Sequence, residues 1–445
     1  MSEPAANTPR LRRQLTLTDL VVYGIVAVTP SAPVTVFGLT SSLSNGFAVT
    51  AILFGMVAMV FTAISYGKMA ALYPAAGSAY TYVARSMHPY LGFLAGWAML
   101  LDYLVIPLFC VLYGSLNIQR MFPQVPFVVF AAGFAVAITG LNVMGIRATA
   151  RANLILIALM GVVLVIFDTL AAAAIVRQGG WNALFSLKPF YDPATFSFGA
   201  VARATSFAAL AYLGFDAVTT LAEDVVNPRR NVMLAVVGVC VFTGVFGGLL
   251  TYLGQLLWPD YKTFTNIETA FLDVARRAGS EAMFQAMAIL LVVANVGAGL
   301  TGQLGAARVL FGMGRDGVLP RSWFAYLDPK RNAPTYNIVL LGLSSFAGAL
   351  YFNYETVAEV LNFGAFLGFM AVNGAAVWHF SIRGGKWSEG VAPALGFVFC
   401  FVIWWGLAPL AKTLGAIWFA AGLAYLLFRT AGFKRRFEMA DVFEG

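Results

Sequence analysis

"VAVTPSAPVTVFG", residues 26–38, interrupts an apolar segment that is otherwise long enough to cross a membrane as a helix. The stretch contains two prolines, two threonines and a serine. Each proline removes a backbone donor and disturbs the helix one turn back, and backbone polar groups in hydrocarbon need partners. Such an interruption persists only inside protein or beside a water-filled cavity, so the stretch predicts a membrane span that is broken at a cavity.

The composition places the rest of the chain in a bilayer. Of the 445 residues, 60% are hydrophobic and 11% are charged, and no soluble domain of this size has that balance. Apolar runs of spanning length occur at 18–43, 47–72, 91–119, 125–142, 150–176, 199–222, 231–257, 281–310, 335–352, 355–380, 391–409 and 413–430. The sequence therefore predicts an all-α integral membrane protein with 12 transmembrane helices in a single domain, 1–445.

The distribution of basic residues predicts the orientation. If the N-terminus is cytoplasmic, 20 of the 28 Lys and Arg residues lie on the cytoplasmic side, as the positive-inside rule requires. The net charge of +8 is then a topology signal, and its scatter among short loops argues against a nucleic-acid partner. We expect a multi-pass protein of the cytoplasmic membrane (the cell inner membrane), with the lipid bilayer as its solvent and both termini in the cytoplasm.

Residues that build catalytic and metal centres are sparse. Three cysteines and two histidines are scattered through the chain, and their spacing indicates neither a disulfide framework nor a metal site. "GAGLTG", residues 297–302, matches a dinucleotide-binding pattern but lies inside an apolar span, so we expect helix packing and no cofactor. The sequence shows no pairing of a nucleophile with a general base that would indicate an enzyme.

A second interruption lies at the matching position of the sixth span. This span reads "SFAALAYLGFDAVTTLAEDVVNPRR", residues 206–230. Gly214 interrupts the apolar pattern near mid-membrane, and Asp216 follows it, although a carboxylate at that depth is costly unless it is paired or wet. Transporters built from inverted repeats of five spans carry such paired breaks at their binding sites.

The two breaks predict complementary ligand chemistry. At the first, N–H groups near Ser31, Ala32 and Val34 should face the gap with a helix dipole behind them, which suits a carboxylate. At the second, the carbonyls from Ala211 to Gly214 should be unpaired, which suits an ammonium group or a coupling cation. A small zwitterion or amine could bridge the two.

Five stretches carry a resemblance to a known group of proteins. They are "FTAISYGKMAALYPAAGSAYTY" (61–82), "GFLAGWAMLLDYL" (92–104), "LGFDAVTTLAEDVVNPRR" (213–230), "MGRDGVLPRSWFAYLDPKRNAPTYN" (313–337) and "LNFGAFLGFMAVN" (361–373). The chain resembles the amino acid, polyamine and organocation (APC) superfamily over nearly its whole length, and within it the bacterial putrescine importers. The resemblance implies a leucine-transporter-type fold with a five-plus-five inverted repeat, comprising 18–176 (spans 1–5) and 199–380 (spans 6–10), followed by 391–430 (spans 11 and 12).

The resemblance also implies a function and a site. The function is ion-coupled import of a small amine or amino acid by alternating access, with H⁺ or Na⁺ as the coupling ion. Together with the reading of the two breaks, it gives these substrate-site residues: Thr29, Pro30, Ser31, Ala32, Pro33, Val34, Asp102, Tyr103, Ala211, Tyr212, Leu213, Gly214, Phe215 and Asp216. We expect Asp102 to be the counter-ion of a substrate ammonium group, as intramembrane acids commonly are functional.

Three departures from the family pattern leave the substrate and the coupling ion open. Gly38 stands where putrescine importers of this type carry an acid, Leu210 stands where an aromatic residue is expected, and the fifth span lacks the lysine of some proton-coupled relatives. An aromatic gate would then come from Phe207, Tyr212 or Phe215. The alternatives are a neutral amino acid permease or an amine and amino acid exchanger, with a channel as a further class. Glu223 and Asp224, next to Arg229 and Arg230, are expected to form an ion-pair latch.

Overall fold

A computed structural model describes residues 14–74, 78–145, 150–315, 319–331 and 333–434, with the backbone alone for 150–153. Some of the 20 basic residues counted on the cytoplasmic side lie outside these ranges, namely Arg10, Arg12, Arg13, Arg147, Arg435 and Arg436, and for Arg151 only the backbone is described. Parts of two quoted motifs, at 75–77, 316–318 and 332, also lie outside the described residues.

The described chain is helical. Its α-helices are α1 (Leu17–Val28), α2 (Ala32–Leu43), α3 (Ala48–Leu72), α4 (Ser78–Ser86), α5 (Pro89–Met121), α6 (Phe127–Val143), α7 (Ala150–Gly179), α8 (Phe198–Ala208), α9 (Pro228–Leu257), α10 (Ala270–Arg315), α11 (Arg321–Phe324), α12 (Thr335–Tyr351), α13 (Tyr354–Val377), α14 (Trp387–Trp405) and α15 (Pro409–Arg429). Short 3₁₀ helices connect α8 to α9, and a π-helical turn, Trp378–Arg383, extends α13. Within the described ranges, β pairing is limited to two isolated bridges.

The helices agree in order and position with the predicted apolar runs. Nine described segments are long and apolar enough to span a bilayer, and the bent pair α1 and α2 makes a tenth. The remaining two runs form apolar helices that are shorter, α6 and α12. The prediction of an all-helical membrane fold is therefore confirmed, while twelve complete crossings and the inverted repeat stay predictions.

One segment between two predicted spans is partly helical. Residues 258–280 separate the apolar runs 231–257 and 281–310, but α10 begins at Ala270 and its φ and ψ angles leave the helical region only at Gly279 and Ser280. The loop therefore folds back as a short helix before the long apolar segment starts. Its aromatic and acidic residues cover one end of the bundle, as shown below.

The central helices pack closely because glycines stand where they touch. The main contacts join α3 to α9, α5 to α10 and α5 to α13. Gly67 lies against Met233, Gly244 lies against the Met56 side chain, and Gly364 lies against the Ala98 carbonyl. Small residues are the usual means by which membrane helices approach each other. The tight centre of the bundle leaves the broken spans as its main irregularity.

The two broken spans start and finish together. The chain before α1 forms a parallel bridge with the chain after the sixth span, in which Gln14 and Leu15 donate their N–H groups to the Asp224 carbonyl at 2.8 and 3.0 Å. Val226 donates to the Leu15 carbonyl at 3.0 Å. We call this end of the bundle the α1 end. Backbone hydrogen bonds make this connection, and no ion pair among the described residues joins Glu223 or Asp224 to the nearby arginines. The expected ion-pair latch is therefore not formed in this conformation.

Candidate functional site

The first break is a compact turn between α1 and α2. Thr29 ends α1 with a φ of 69°, and the axes of the two helices differ by 48°. The Thr29 N–H still donates to the Ile25 carbonyl at 3.0 Å. Pro30 and Ser31 are buried in the turn, and Pro33 lies in the first turn of α2, where proline is tolerated.

Most amide groups at this first break are already paired. The Ala32 N–H donates to the Thr29 carbonyl and the Val34 N–H donates to the Ser31 carbonyl, both at 3.0 Å. The expectation that these two N–H groups face the gap is therefore wrong, because the turn satisfies them locally. The Ser31 N–H has no hydrogen-bond partner among the described residues.

The second break is open by comparison. The first part of the sixth span is α8, which tightens into a 3₁₀ helix over Ala209–Tyr212, and Gly214 then adopts a left-handed φ of 101°. The Leu213 N–H donates to Leu210 and the Ala217 N–H donates to Gly214. The Leu213 carbonyl, which lies between the two 3₁₀ segments, has no hydrogen-bond partner among the residues that the structure describes. The expectation of unpaired carbonyls is therefore met at Leu213 and wrong at Gly214, and it stays a prediction for Ala211 and Tyr212.

After this break the chain continues as a 3₁₀ helix over Phe215–Asp224. Ten residues are unusually long for this helix type, which mid-span often marks a hinge or a strained segment. Thr219 and Thr220 each donate a hydroxyl to the carbonyl three residues earlier, at 2.7 Å. The part of the sixth span after the break is therefore a more tightly wound helix than α1 beside it.

The two breaks touch. A β-carbon built at Gly214 would lie 2.8 Å from the Ala27 carbonyl oxygen in the last turn of α1. On the α1 side of this contact, α1 packs against the 3₁₀ helix Phe215–Asp224, and on the other side α2 packs against α8. The interrupted spans therefore meet at their interruptions, which puts the unpaired Leu213 carbonyl close to the turn at Thr29.

Two acidic side chains lie at this junction. Asp216 is 9% exposed, directly after the second break. Asp102, on α5, is half-buried, and its Oδ1 is enclosed without a hydrogen-bond partner among the described residues. The two carboxyl groups interact electrostatically with each other, and both interact with Tyr103, which is 39% exposed and faces Gly305 on α10. The structure thus brings Asp102 and Tyr103 to the same region as the sixth-span residues.

The three aromatic residues named as gate candidates are all packed in the core. The Tyr212 hydroxyl donates to the Ile52 carbonyl at 2.7 Å, which anchors the second break to α3. Phe215 packs against Tyr66 and Phe369, and Phe207 packs against Tyr354. In this conformation these rings support the walls of the junction.

The end of the bundle opposite to α1 is closed. Arg120 forms an ion pair with Asp273, which also pairs with Arg276 at 3.0 Å. Beneath this network Phe37 packs against Phe264 and Phe271. A β-carbon at residue 38 would overlap the Ile267 carbonyl oxygen. Gly38 therefore has a physical cause, since the folded-back loop leaves no room there for the acid of the family pattern.

Sequence reasoning missed a second polar cluster, on α13. Glu359 and Asn362 are fully buried, and each has an oxygen without a partner among the described residues. The signal was available, because Glu359 is an ionisable residue inside an apolar run, which is a functional candidate by default.

These features define a helical membrane protein whose first and sixth spans break where they meet, beside buried acids. The chain belongs to the amino acid permease family, whose model matches residues 33–434. The resemblance to the APC superfamily is confirmed, and the protein is a multi-pass membrane transporter.

Individual relatives cover almost the whole chain. The low-affinity putrescine importer PlaP of Escherichia coli (strain K12) is 29% identical over 97% of this chain and 96% of the relative. The branched-chain amino acid permease BcaP of Lactococcus lactis is 25% identical, over 92% and 93% of the two chains. The vacuolar cationic amino acid transporter 4 of Arabidopsis thaliana is 27% identical over 82% of this chain and 62% of the relative.

Proposed function

We propose that the protein is a secondary active importer of a small amine, such as putrescine or a cationic amino acid, which works by alternating access. The observation that carries this proposal is the junction of the two breaks, where the unpartnered Leu213 carbonyl lies in the same region as the carboxyl groups of Asp102 and Asp216. All of these groups accept hydrogen bonds or carry negative charge. Such a set suits an ammonium group, and a diamine could use both acids.

The paired amides at the first break support the same choice. A substrate carboxylate would need free N–H groups at the start of α2, and those of Ala32 and Val34 are occupied. The site is therefore richer in acceptors than in donors. The similarity to a putrescine importer points in the same direction.

We further propose that the substrate site comprises Thr29–Val34, Asp102, Tyr103 and Ala211–Asp216, within a five-plus-five inverted repeat of twelve crossings. The α1 end faces the cytoplasm of a cell inner membrane, in keeping with the basic loops. The closed opposite end then corresponds to an inward-facing conformation. An H⁺ or Na⁺ gradient drives import, since the chain shows no phosphate-binding loop.

A neutral amino acid permease is the second candidate. The Ser31 N–H has no partner among the described residues and lies at the start of α2, where a helix dipole favours a carboxylate. The similarity to branched-chain amino acid permeases supports this alternative.

Uptake into proteoliposomes tests the proposal. A labelled panel of putrescine, L-arginine and L-leucine is presented with and without the same unlabelled compound inside. We expect saturable uptake of putrescine or L-arginine with trans-stimulation by preloading. Uptake of L-leucine alone would favour the second candidate. Flux that stays linear with concentration and shows no trans-stimulation would contradict a carrier and indicate a channel.

A further inference from the structure

Glu359 on α13 is a buried carboxyl group with one unused oxygen. The residue is 0% exposed. Its Oε2 accepts a hydrogen bond from the Ala408 N–H at 2.7 Å, in the connection between α14 and α15. Its Oε1 is enclosed and has no partner among the described residues. A buried ionised oxygen without a donor is expensive, so this geometry is suited to a carboxyl group that binds a proton.

Asn362 provides the complementary acceptor. Its Nδ2 donates to the Ser206 carbonyl at 2.8 Å, and this bond directs its Oδ1 away from α8. That oxygen is also buried without a partner among the described residues. Residues three apart on a helix are neighbours, with Cβ atoms about 5–6 Å apart. Two acceptors, Glu359 Oε1 and Asn362 Oδ1, therefore share one face of α13 without a donor.

One proton removes the cost of the buried charge. Protonation of Oε1 makes Glu359 neutral and gives the cluster an O–H donor, and the acceptor one helical turn along the same face that lacks a partner among the described residues is Asn362 Oδ1. A hard metal cation would need several oxygen ligands, and these two oxygens fall short of such a set.

The charged surroundings leave Glu359 without an ion-pair partner. Glu355 lies one turn earlier on α13 and pairs with Arg203 of α8 at 3.4 Å. Glu355, Arg203 and Lys412 of α15 all interact electrostatically with Glu359, but none comes within ion-pair distance.

The other elements packed on α13 bring their charges to different places. Asp102 of α5 lies beside Gly364, further along the helix. Lys68 of α3 contacts Glu389 of α14, and Arg85 belongs to α4. Glu359 is therefore the buried, unneutralised acid of this cluster.

We infer that Glu359 binds the proton that is coupled to import, an inference that rests on the proposed transport function. Water on the side opposite to α1 supplies the proton to Oε1, and the same bond releases it to water when the bundle exposes the other side. Asn362, one turn along from Glu359, is hydrogen-bonded to Ser206 of α8, three residues before the 3₁₀ segment that leads to the second break. In this proposal the charge state of Glu359 acts on the broken span through Asn362.

The variant Glu359→Gln tests the inference. Glutamine keeps an oxygen for the Ala408 N–H and places an amide donor toward Asn362, so it imitates the protonated state and should fold. We expect the variant to retain putrescine counterflow and to lose both accumulation driven by a pH gradient and acidification of the lumen, followed with pyranine. Glu355→Gln removes a partly exposed carboxylate one turn away and should keep both.

The outcomes distinguish a failure of the proposed transport function from a failure of the proposed role of Glu359. If wild type moves neither putrescine nor L-arginine, the proposed function fails. If wild type accumulates putrescine and Glu359→Gln still accumulates it under a pH gradient, the function stands and the inference is overturned. Accumulation by wild type under a Na⁺ gradient alone, or substrate addition without lumenal acidification in wild type, overturns it as well and does not depend on how the variant folds.

Discussion

The two helix breaks differ in how completely they satisfy their own backbone. At the first, a turn built around Pro30 uses the N–H groups of Ala32 and Val34 internally. At the second, Gly214 turns the chain with a left-handed φ, and the Leu213 carbonyl is left without a partner in the described chain. We call the first, internally paired break the closed break and the second, which keeps a free acceptor, the open break. The two meet at the contact between Gly214 and Ala27.

This difference indicates which of the two breaks determines ligand selectivity. A proline turn restores its hydrogen bonds over two or three residues, so it bends a span and offers little to a substrate. A glycine turn followed by a 3₁₀ helix exposes acceptors, and the neighbouring acids add negative charge. The open break and its acids should therefore dominate affinity, and the closed break should contribute mainly through shape.

The largest effect should come from Asp102→Asn. If Asp102 pairs with a substrate ammonium group, removal of its charge leaves a buried cation without its partner. This typically costs about 3–5 kcal/mol, which is more than a hundredfold in affinity. Calorimetric titration of putrescine into wild type and variant measures the change.

The matched control is Asp168→Asn on α7, another intramembrane acid whose Oδ1 has no partner among the described residues. The putrescine affinity of Asp168→Asn should equal that of wild type. A loss below about threefold for Asp102→Asn, where a merely altered hydrogen bond costs about 1 kcal/mol, would remove Asp102 as the counter-ion and favour a neutral amino acid.

A smaller effect is expected from Gly214→Ala. Alanine at a φ of 101° is strained by about 1–2 kcal/mol, and its β-carbon would press on the Ala27 carbonyl. The open break should shift and putrescine affinity should fall about tenfold. Gly238→Ala on α9 is the control, because a β-carbon there meets nothing within 4 Å. Equal affinity of the two variants would show that the shape of the second break does not matter.

The smallest effect is expected from the double variant Pro30→Ala and Pro33→Ala. Pro33 lies in the first turn of α2, where its replacement gains little, so only Pro30 opposes a continuous helix. We expect a loss of about 1 kcal/mol, or about fivefold in putrescine affinity. Pro393→Ala, inside α14, is the matched control and should change nothing. Complete loss of binding by a folded double variant would contradict the ranking of the two breaks.

Much of the fold can be predicted from the apolar runs and from the prolines and glycines that interrupt them. Runs of apolar residues predict α3 and α12 to within about two residues, because exposure to lipid leaves few alternatives to a helix. The break at Thr29 follows from its prolines, and the break at Gly214 from a glycine beside an acid. The fold-back of 270–278 was missed because its helix is short and amphipathic, so its sequence reads as a polar loop.

The finer properties of the site depend on tertiary geometry. The local turn pairs the N–H groups of Ala32 and Val34, and the composition of the sequence does not reveal this pairing. The absence of an acid at residue 38 is explained only by the Ile267 carbonyl above it. Likewise Glu359 can be found in the sequence, but only the packed bundle shows that its Oε2 accepts a hydrogen bond while its Oε1 has no partner among the described residues.

The most direct measurement of the central claim is a comparison of putrescine with n-butylamine by calorimetric titration into wild-type protein. The two ligands share a four-carbon chain and differ by one ammonium group. A junction that contains two acids and an unpaired carbonyl predicts that putrescine binds at least about tenfold more tightly, as the loss of one charge-assisted contact implies. Equal affinities, or binding of L-leucine with neither amine bound, would contradict the account.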